Sequence, residues 1–117
     1  MKASRSQSIR DRQKKVCKCL VIEFEKATGI NLTTKNRTGG FENSLWNRAV
    51  FYEYLNKNKG YYGLYVSKSL GIHHTTGMHY IEQITPYLKS SFEYDYNKTI
   101  DIIDNVYQSC YLQTFNN

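Results

Sequence analysis

Apolar residues recur every three or four positions over most of this chain, and that recurrence is the helical period. Val16, Leu20, Phe24 and Ala27 form one stripe, and Gly29 stands where a helix end takes a left-handed residue, which predicts a first helix over Val16–Thr28. Leu45, Ala49, Tyr52 and Leu55 or Tyr54 repeat the stripe, widened by Trp46, Val50 and Phe51. The second helix therefore runs from a cap at Asn43 or Ser44 to about Asn58. A polar turn ending in Gly60 leads to a short helix, Tyr62 to Leu70, in which Leu64, Val66 and Leu70 can pack. Gly71 allows a tight corner plugged by Ile72, and the next helix opens with His73-His74-Thr75-Thr76 and turns Met78, Ile81 and Ile84 inward. Pro86 ends or kinks that helix after Thr85. Tyr87 and Leu88 then close the core, SSFEYDY bridges, and Asp95 or Asn97 caps a last helix over Asn97–Leu112. Its stripe is Ile100, Ile103, Val106 or Tyr107, and Cys110 or Tyr111. The expected fold class is all-α, a compact helix-turn-helix bundle of about five helices.

The remaining stretches are polar. Residues 1–15 hold Lys2, Arg5, Arg10, Arg12, Lys14 and Lys15 with little apolar besides Ile9, which predicts a basic flexible arm or a frayed first turn. Such an arm either touches phosphates or only adds solubility. Residues 16–112 form the domain and 113–117 a C-terminal tail. Between the first two helices, Ile30 to Phe41 is a loop in which Lys35 and Arg37 sit among Thr and Asn side chains ahead of Gly39-Gly40. Two bases on a glycine-hinged loop suit a phosphate or minor-groove finger. Arg48 lies near the start of the second helix, where the helix dipole disfavours a cation, so an external anion or a nearby Glu would relieve it.

Charge sharpens this picture. The net charge is +6, and residues 1–89 hold fifteen of the sixteen Lys and Arg against six acids, while residues 90–117 hold one base against four acids. A basic body with an acidic end suits a protein that lays one side on a polyanion. At 117 residues there is room for one modest core. Eleven tyrosines give that core wet rims, because a buried ring keeps its hydroxyl at a polar partner. Cys17, Cys19 and Cys110 are an odd number without a secretory framework, which points to a reducing, cytoplasmic compartment, and Cys17 and Cys19 read as small semi-buried thiols. No apolar run approaches the roughly 20 residues of a membrane span, so no membrane partner is expected. No G-x-x-x-x-G-K-[ST] stretch occurs, which excludes that mode of nucleotide binding and ATPase activity. Paired carboxylates and a placed nucleophile are also missing, so the chain reads as no enzyme, without cofactor. The spacing of His73, His74 and His79 is poor for zinc, hence no metal is expected.

Helix, glycine corner, and a second helix opening on small hydrogen-bonding side chains is the pattern of a helix-turn-helix that presents its first turn to base edges in the major groove. A neutral imidazole offers one donor and one acceptor, and threonine adds a hydroxyl and a methyl that can meet thymine. Gly77 costs about 1 kcal/mol against alanine within a helix, unless close approach to backbone or DNA excludes a side chain. The run Gly71-Ile72-His73-His74-Thr75-Thr76-Gly77-Met78-His79 resembles the signature of the C-terminal DNA-binding domain (domain IV) of the bacterial replication initiator DnaA, in the Trp-repressor-like group. The order of elements over most of residues 16–112 is also similar.

That resemblance implies that His74, Thr75 and Thr76 meet bases and that Arg37 or Lys35 reaches the minor groove. It further implies that Arg48 and His79 lie near phosphates or brace the helix, with His73 completing the turn. His73 stands where the family has an aspartate and Gly77 where it has an apolar residue, so the initiator's own DNA box need not be the target. The expected partner is double-stranded DNA, bound by a cytoplasmic regulator of transcription or replication in a bacterial or phage-infected cell, with a bacteriophage or mobile element as one source of the gene. The competing reading is a protein-interaction or virion structural module that keeps the scaffold without specific DNA binding. Packing of the last helix on the first and a homodimer contact through that last helix both remain open.

Overall fold

Helical periodicity carries through to the computed structural model, which describes residues 5–116, with side chains from 8 to 114. The elements are α1 (Arg5–Thr28), α2 (Ser44–Glu53), α3 (Gly63–Leu70), α4 (His74–His79), α5 (Thr85–Ser91) and α6 (Glu93–Asn116). A π-helical turn, Tyr54–Asn58, extends α2, and another, Tyr80–Ile84, joins α4 to α5. Among the described residues there is no strand, and no helix is long and apolar enough to cross a membrane. The fold is an all-α bundle.

The centre is α2, eight of whose ten residues are buried. Ala49, Val50, Phe51 and Tyr52 meet Val66 and Leu70 of α3, Tyr80, and Leu88 of α5 in one core with Val16, Leu20 and Phe24 of α1. Each buried Val, Leu or Phe among them contributes about 1.5–3 kcal/mol. Along one flank α1 packs on α6, which presents Tyr96, Ile103, Tyr107 and Cys110. These two helices run antiparallel, since Cys19 lies against Cys110 and Gln113, while Glu23, Lys26 and Ala27 share a recess with Asn105 and Val106.

Several sequence expectations are corrected. Residues 5–15 are not a free arm but the first turns of α1, because their Arg, Gln and Lys favour helix and the segment docks on α3. Gln13 Oε1 accepts the N–H of Tyr62 at 3.0 Å, and Lys14 Nζ lies 5.0 Å from the Tyr65 ring centroid. Residues 1–4 of the expected arm lie outside the described residues. SSFEYDY is not a bridge, because α5 and α6 are separated by Phe92 alone, and residues 113–116 continue α6 rather than forming a tail. Met78 and Leu64 are each 46% exposed instead of packed. The inward positions are Gly77 on α4 and Tyr80 on the π turn that follows it, and on α3 Ser67 joins Val66 and Leu70. Pro86 does not end its helix. The π turn before it closes with Thr85 N–H on Tyr80 O, and the rod passes into α5 with proline in its first turn, where no N–H is required.

Cysteine usage also departs from expectation. Cys19 and Cys110 form a disulfide that ties α1 to α6, with Cα atoms 5.9 Å apart across 91 residues of sequence. In the chain-entropy picture so long a closed loop stabilises by roughly 4–5 kcal/mol. Two of the three cysteines are thus paired, which removes the odd-thiol argument for a reducing compartment. Cys17 is a buried thiol pushed up to about 12 by burial, with a hydrogen bond to Ser69 acting in the other direction.

Candidate functional site

The loop between α1 and α2 is held from below. Gly29, at φ 77°, ends α1, and Leu32 is fully buried as the loop's anchor. Asn31 Oδ1 accepts from Thr33 N at 2.8 Å, which fixes the next turn. Arg48 then reaches up from α2. Its Nη1 donates to Leu32 O at 3.0 Å, Thr34 O at 2.7 Å and Ser44 Oγ at 3.3 Å, and its Nε to Tyr80 Oη at 2.8 Å. Neutral carbonyls and hydroxyls therefore surround a guanidinium that is 3% exposed. Such a charge is tolerable only because it is so fully hydrogen-bonded. The expectation that Arg48 lies near a phosphate is corrected to the bracing role: it joins the loop, α2 and Tyr80.

The start of α2 is capped from a distance. Asn43 occupies the cap position without a side-chain bond to the helix, donating instead to Gly39 O at 2.9 Å. Asn36 Oδ1 accepts the N–H of Ser44 at 3.3 Å and also meets Ser44 Oγ, which lies 2.6 Å from Thr34 O. With Thr34 and Asn36 so fixed, Lys35 and Arg37 are left exposed on the loop. Lys35 turns to the corner after α3, where its Nζ donates to Gly71 O. Gly71 adopts φ 70°, ψ 30°, and Ile72 N–H closes the corner on Ser67 O at 3.0 Å.

His73 is the cap of α4. With φ −76° and ψ 149°, its Nδ1 accepts the Thr75 N–H at 3.3 Å and lies 2.8 Å from Thr75 Oγ1. The imidazole thus takes the place in which an N-terminal oxygen acceptor usually stands. His74 stacks at a tilt on His73, ring centroids 4.5 Å apart, and both rings are exposed with Thr75. Gly77 is explained from inside. A Cβ there would come within 2.3 Å of the Tyr52 ring, and one at Gly63 within 2.7 Å of Tyr52 Oη. The Tyr52 ring wedges between α3 and α4, and the two glycines admit it.

These pieces surround an open depression of about 500 Å³, lined by Lys35, His73, Thr76 and His79 with Arg48 and Tyr80 among the remaining walls. Of the eight residues singled out in the sequence, the depression gathers Lys35, Arg48, His73, Thr76 and His79. His74 and Thr75 stand exposed on the first turn of α4, and Arg37 is exposed on the loop without lining the depression. Asn36 and Tyr80 were not singled out. Neither carries a local signal, since each acts on a residue eight or more positions away. Among the described residues no three His, Cys, Asp or Glu side chains converge as metal ligands would. No protein family, no curated protein and no solved structure matches the chain.

Proposed function

We propose that this chain binds double-stranded DNA through a helix-turn-helix made of α3, the Gly71 corner and α4, in the manner of the DnaA domain IV it resembles. The first turn of α4 enters the major groove. His74, Thr75 and Thr76 meet base edges there, while Lys35, Arg37 and His79 face phosphates or the neighbouring minor groove. Arg48 contributes no contact of its own; it holds the loop that carries Lys35 and Arg37. The bound protein acts as a sequence-specific regulator of transcription or replication, in a phage or mobile element or its bacterial host.

One observation carries the reading. Lys35 is strapped to Gly71 O, so the basic loop and the exposed polar turn of α4 share one side of the molecule. Sequence-blind and sequence-reading chemistry are thereby adjacent, as groove recognition needs. A second reading, a protein-interaction or virion structural module, draws on Tyr94 and Leu112, which are 78% and 59% exposed on α6. The same surface would serve a homodimer.

Substitution separates the two. Thr75→Ala with Thr76→Ala is expected to weaken binding to a preferred duplex by about tenfold or more while leaving nonspecific binding nearly intact. Lys35→Ala with Arg37→Ala is expected to weaken both and reduce the salt dependence. Unchanged DNA affinity in all four positions would transfer the argument to the interaction module.

A further inference from the structure

The docking of α1 on α3 leaves a groove whose chemistry the proposed reading has not used. Arg10, Lys14 and Lys18 recur every four residues on α1, so they fall on one face, and all three are exposed. Opposite them stands Lys68 of α3. Lys14, Lys18 and Lys68 line one recess of about 220 Å³, and Arg10 lines an adjoining one with Tyr62 and Tyr65. Neither recess has an acidic residue in its wall. The ion pairs among the described residues, Lys26–Glu23 and Lys89–Glu53, involve none of these cations.

Four like charges in one groove repel one another and raise a common positive potential, so the free protein holds them at a cost that an anionic occupant removes. The row from Arg10 to Lys18 covers about 12 Å along α1. That is the axial rise of roughly three to four successive phosphates on one DNA strand. Tyr62, 55% exposed, adds a hydroxyl donor of the kind that phosphate oxygens accept. The recess and the candidate site are linked through α3. Lys68 lies in the last turn of α3, next to the Gly71 corner that takes the Lys35 ammonium.

We propose that the groove between α1 and α3 seats the phosphate backbone of the same duplex that α4 reads. The inference rests on the DNA-binding reading and extends it to a second face. Its function is affinity and register along the duplex, without base preference, because lysine and arginine meeting phosphates carry no sequence information.

The test measures binding of the full chain to a mixed-sequence duplex by fluorescence anisotropy over a series of salt concentrations. Lys14→Gln, Lys18→Gln and Lys68→Gln together are expected to reduce the slope of log affinity against log salt by about 2–3, near 0.9 for each lost phosphate contact. A control that removes three exposed charges elsewhere, Lys26→Gln, Lys57→Gln and Lys98→Gln, should keep a slope close to that of the unaltered chain. Helical content and denaturation midpoint, measured on both triple variants, establish that each is folded. A folded groove variant with an unaltered slope overturns the proposal while leaving the α4 reading intact. An equal loss in the control also overturns it, by reducing the effect to net charge. A groove variant that loses binding to a polyglutamate peptide yet retains its DNA slope assigns the groove to an acidic protein segment instead. Failure of the unaltered chain to bind any duplex overturns both readings.

Discussion

Gly77 carries the sharpest lesson at the scale of single residues. Propensity alone says that alanine there would stabilise a helix by about 1 kcal/mol. The Tyr52 ring says the opposite, because a methyl would press to 2.3 Å against a side chain that is 1% exposed and also fills the space beside Gly63. Overpacking of this kind costs about 1–3 kcal/mol, so Gly77→Ala is expected to be net destabilising. Urea denaturation would register a lower midpoint at unchanged slope; a midpoint equal to or above the original would contradict the wedge. The residue's oddity in a helix was legible in the sequence, but the approach expected there was of backbone or DNA rather than of a side chain. That a ring of α2 does the approaching was not legible, since Tyr52 and Gly77 meet only through the tertiary fold. Arg48 teaches the same point. Its conflict with the helix dipole was visible, but carbonyls of residues 32 and 34 resolve it, and no local pattern announces them.

Among elements, helix interiors and several ends were legible, since α1 stops at Thr28, α2 starts at Ser44 and α3 stops at Leu70 as their caps and glycines indicate, whereas the start of α1 and both ends of α6 were not. Val16, Leu20 and Phe24 on α1, and Ile103, Tyr107 and Cys110 on α6, stand where their spacing put them. Both helices nevertheless extend further than their apolar stripes, because polar turns are held by distant partners such as Gln13 on Tyr62 N–H. The Cys19–Cys110 bond was equally invisible, since nothing in the sequence aligns two helices 91 residues apart. Glu53 shows how three elements are fastened. Its carboxylate accepts from Thr85 Oγ1 at 2.6 Å and from Tyr96 Oη, and pairs with Lys89 at 3.1 Å, so α2 is tied to α5 and α6.

Burial pushes the Glu53 carboxyl up, but the two hydroxyls and the Lys89 ammonium together outweigh it and hold the group below the ordinary value of 4.5. A carboxyl depressed in the folded state adds stability that is complete above its unfolded pKa and is lost as pH falls through its folded one. Denaturant midpoints of the unaltered chain should therefore drop as pH is lowered below about 4.5. Glu53→Gln should be less stable near neutrality and should show a shallower acid decline. Parallel pH profiles for the two proteins would remove Glu53 from the account.

At the scale of the whole molecule, the bundle measures 50 × 27 × 22 Å and divides its work between two regions. The α1–α6 flank supplies mechanical closure through the disulfide and the tyrosine cluster of Tyr54, Tyr61 and Tyr107. The other side, with the loop, the corner and α4, carries exposed His, Thr, Lys and Arg side chains on a rigid base. The uneven charge of the chain was legible from sequence alone. The contacts that bring loop and corner to one side, Arg48 on Leu32 O, Thr34 O and Tyr80 Oη and Lys35 on Gly71 O, were not. The most direct test of the central claim is selection of the purified chain against a pool of random duplex DNA at low and raised salt, followed by sequencing. The account predicts one enriched motif that persists at the higher salt, lost when Thr75 and Thr76 become alanine. Binding that vanishes with salt and enriches no motif would contradict it.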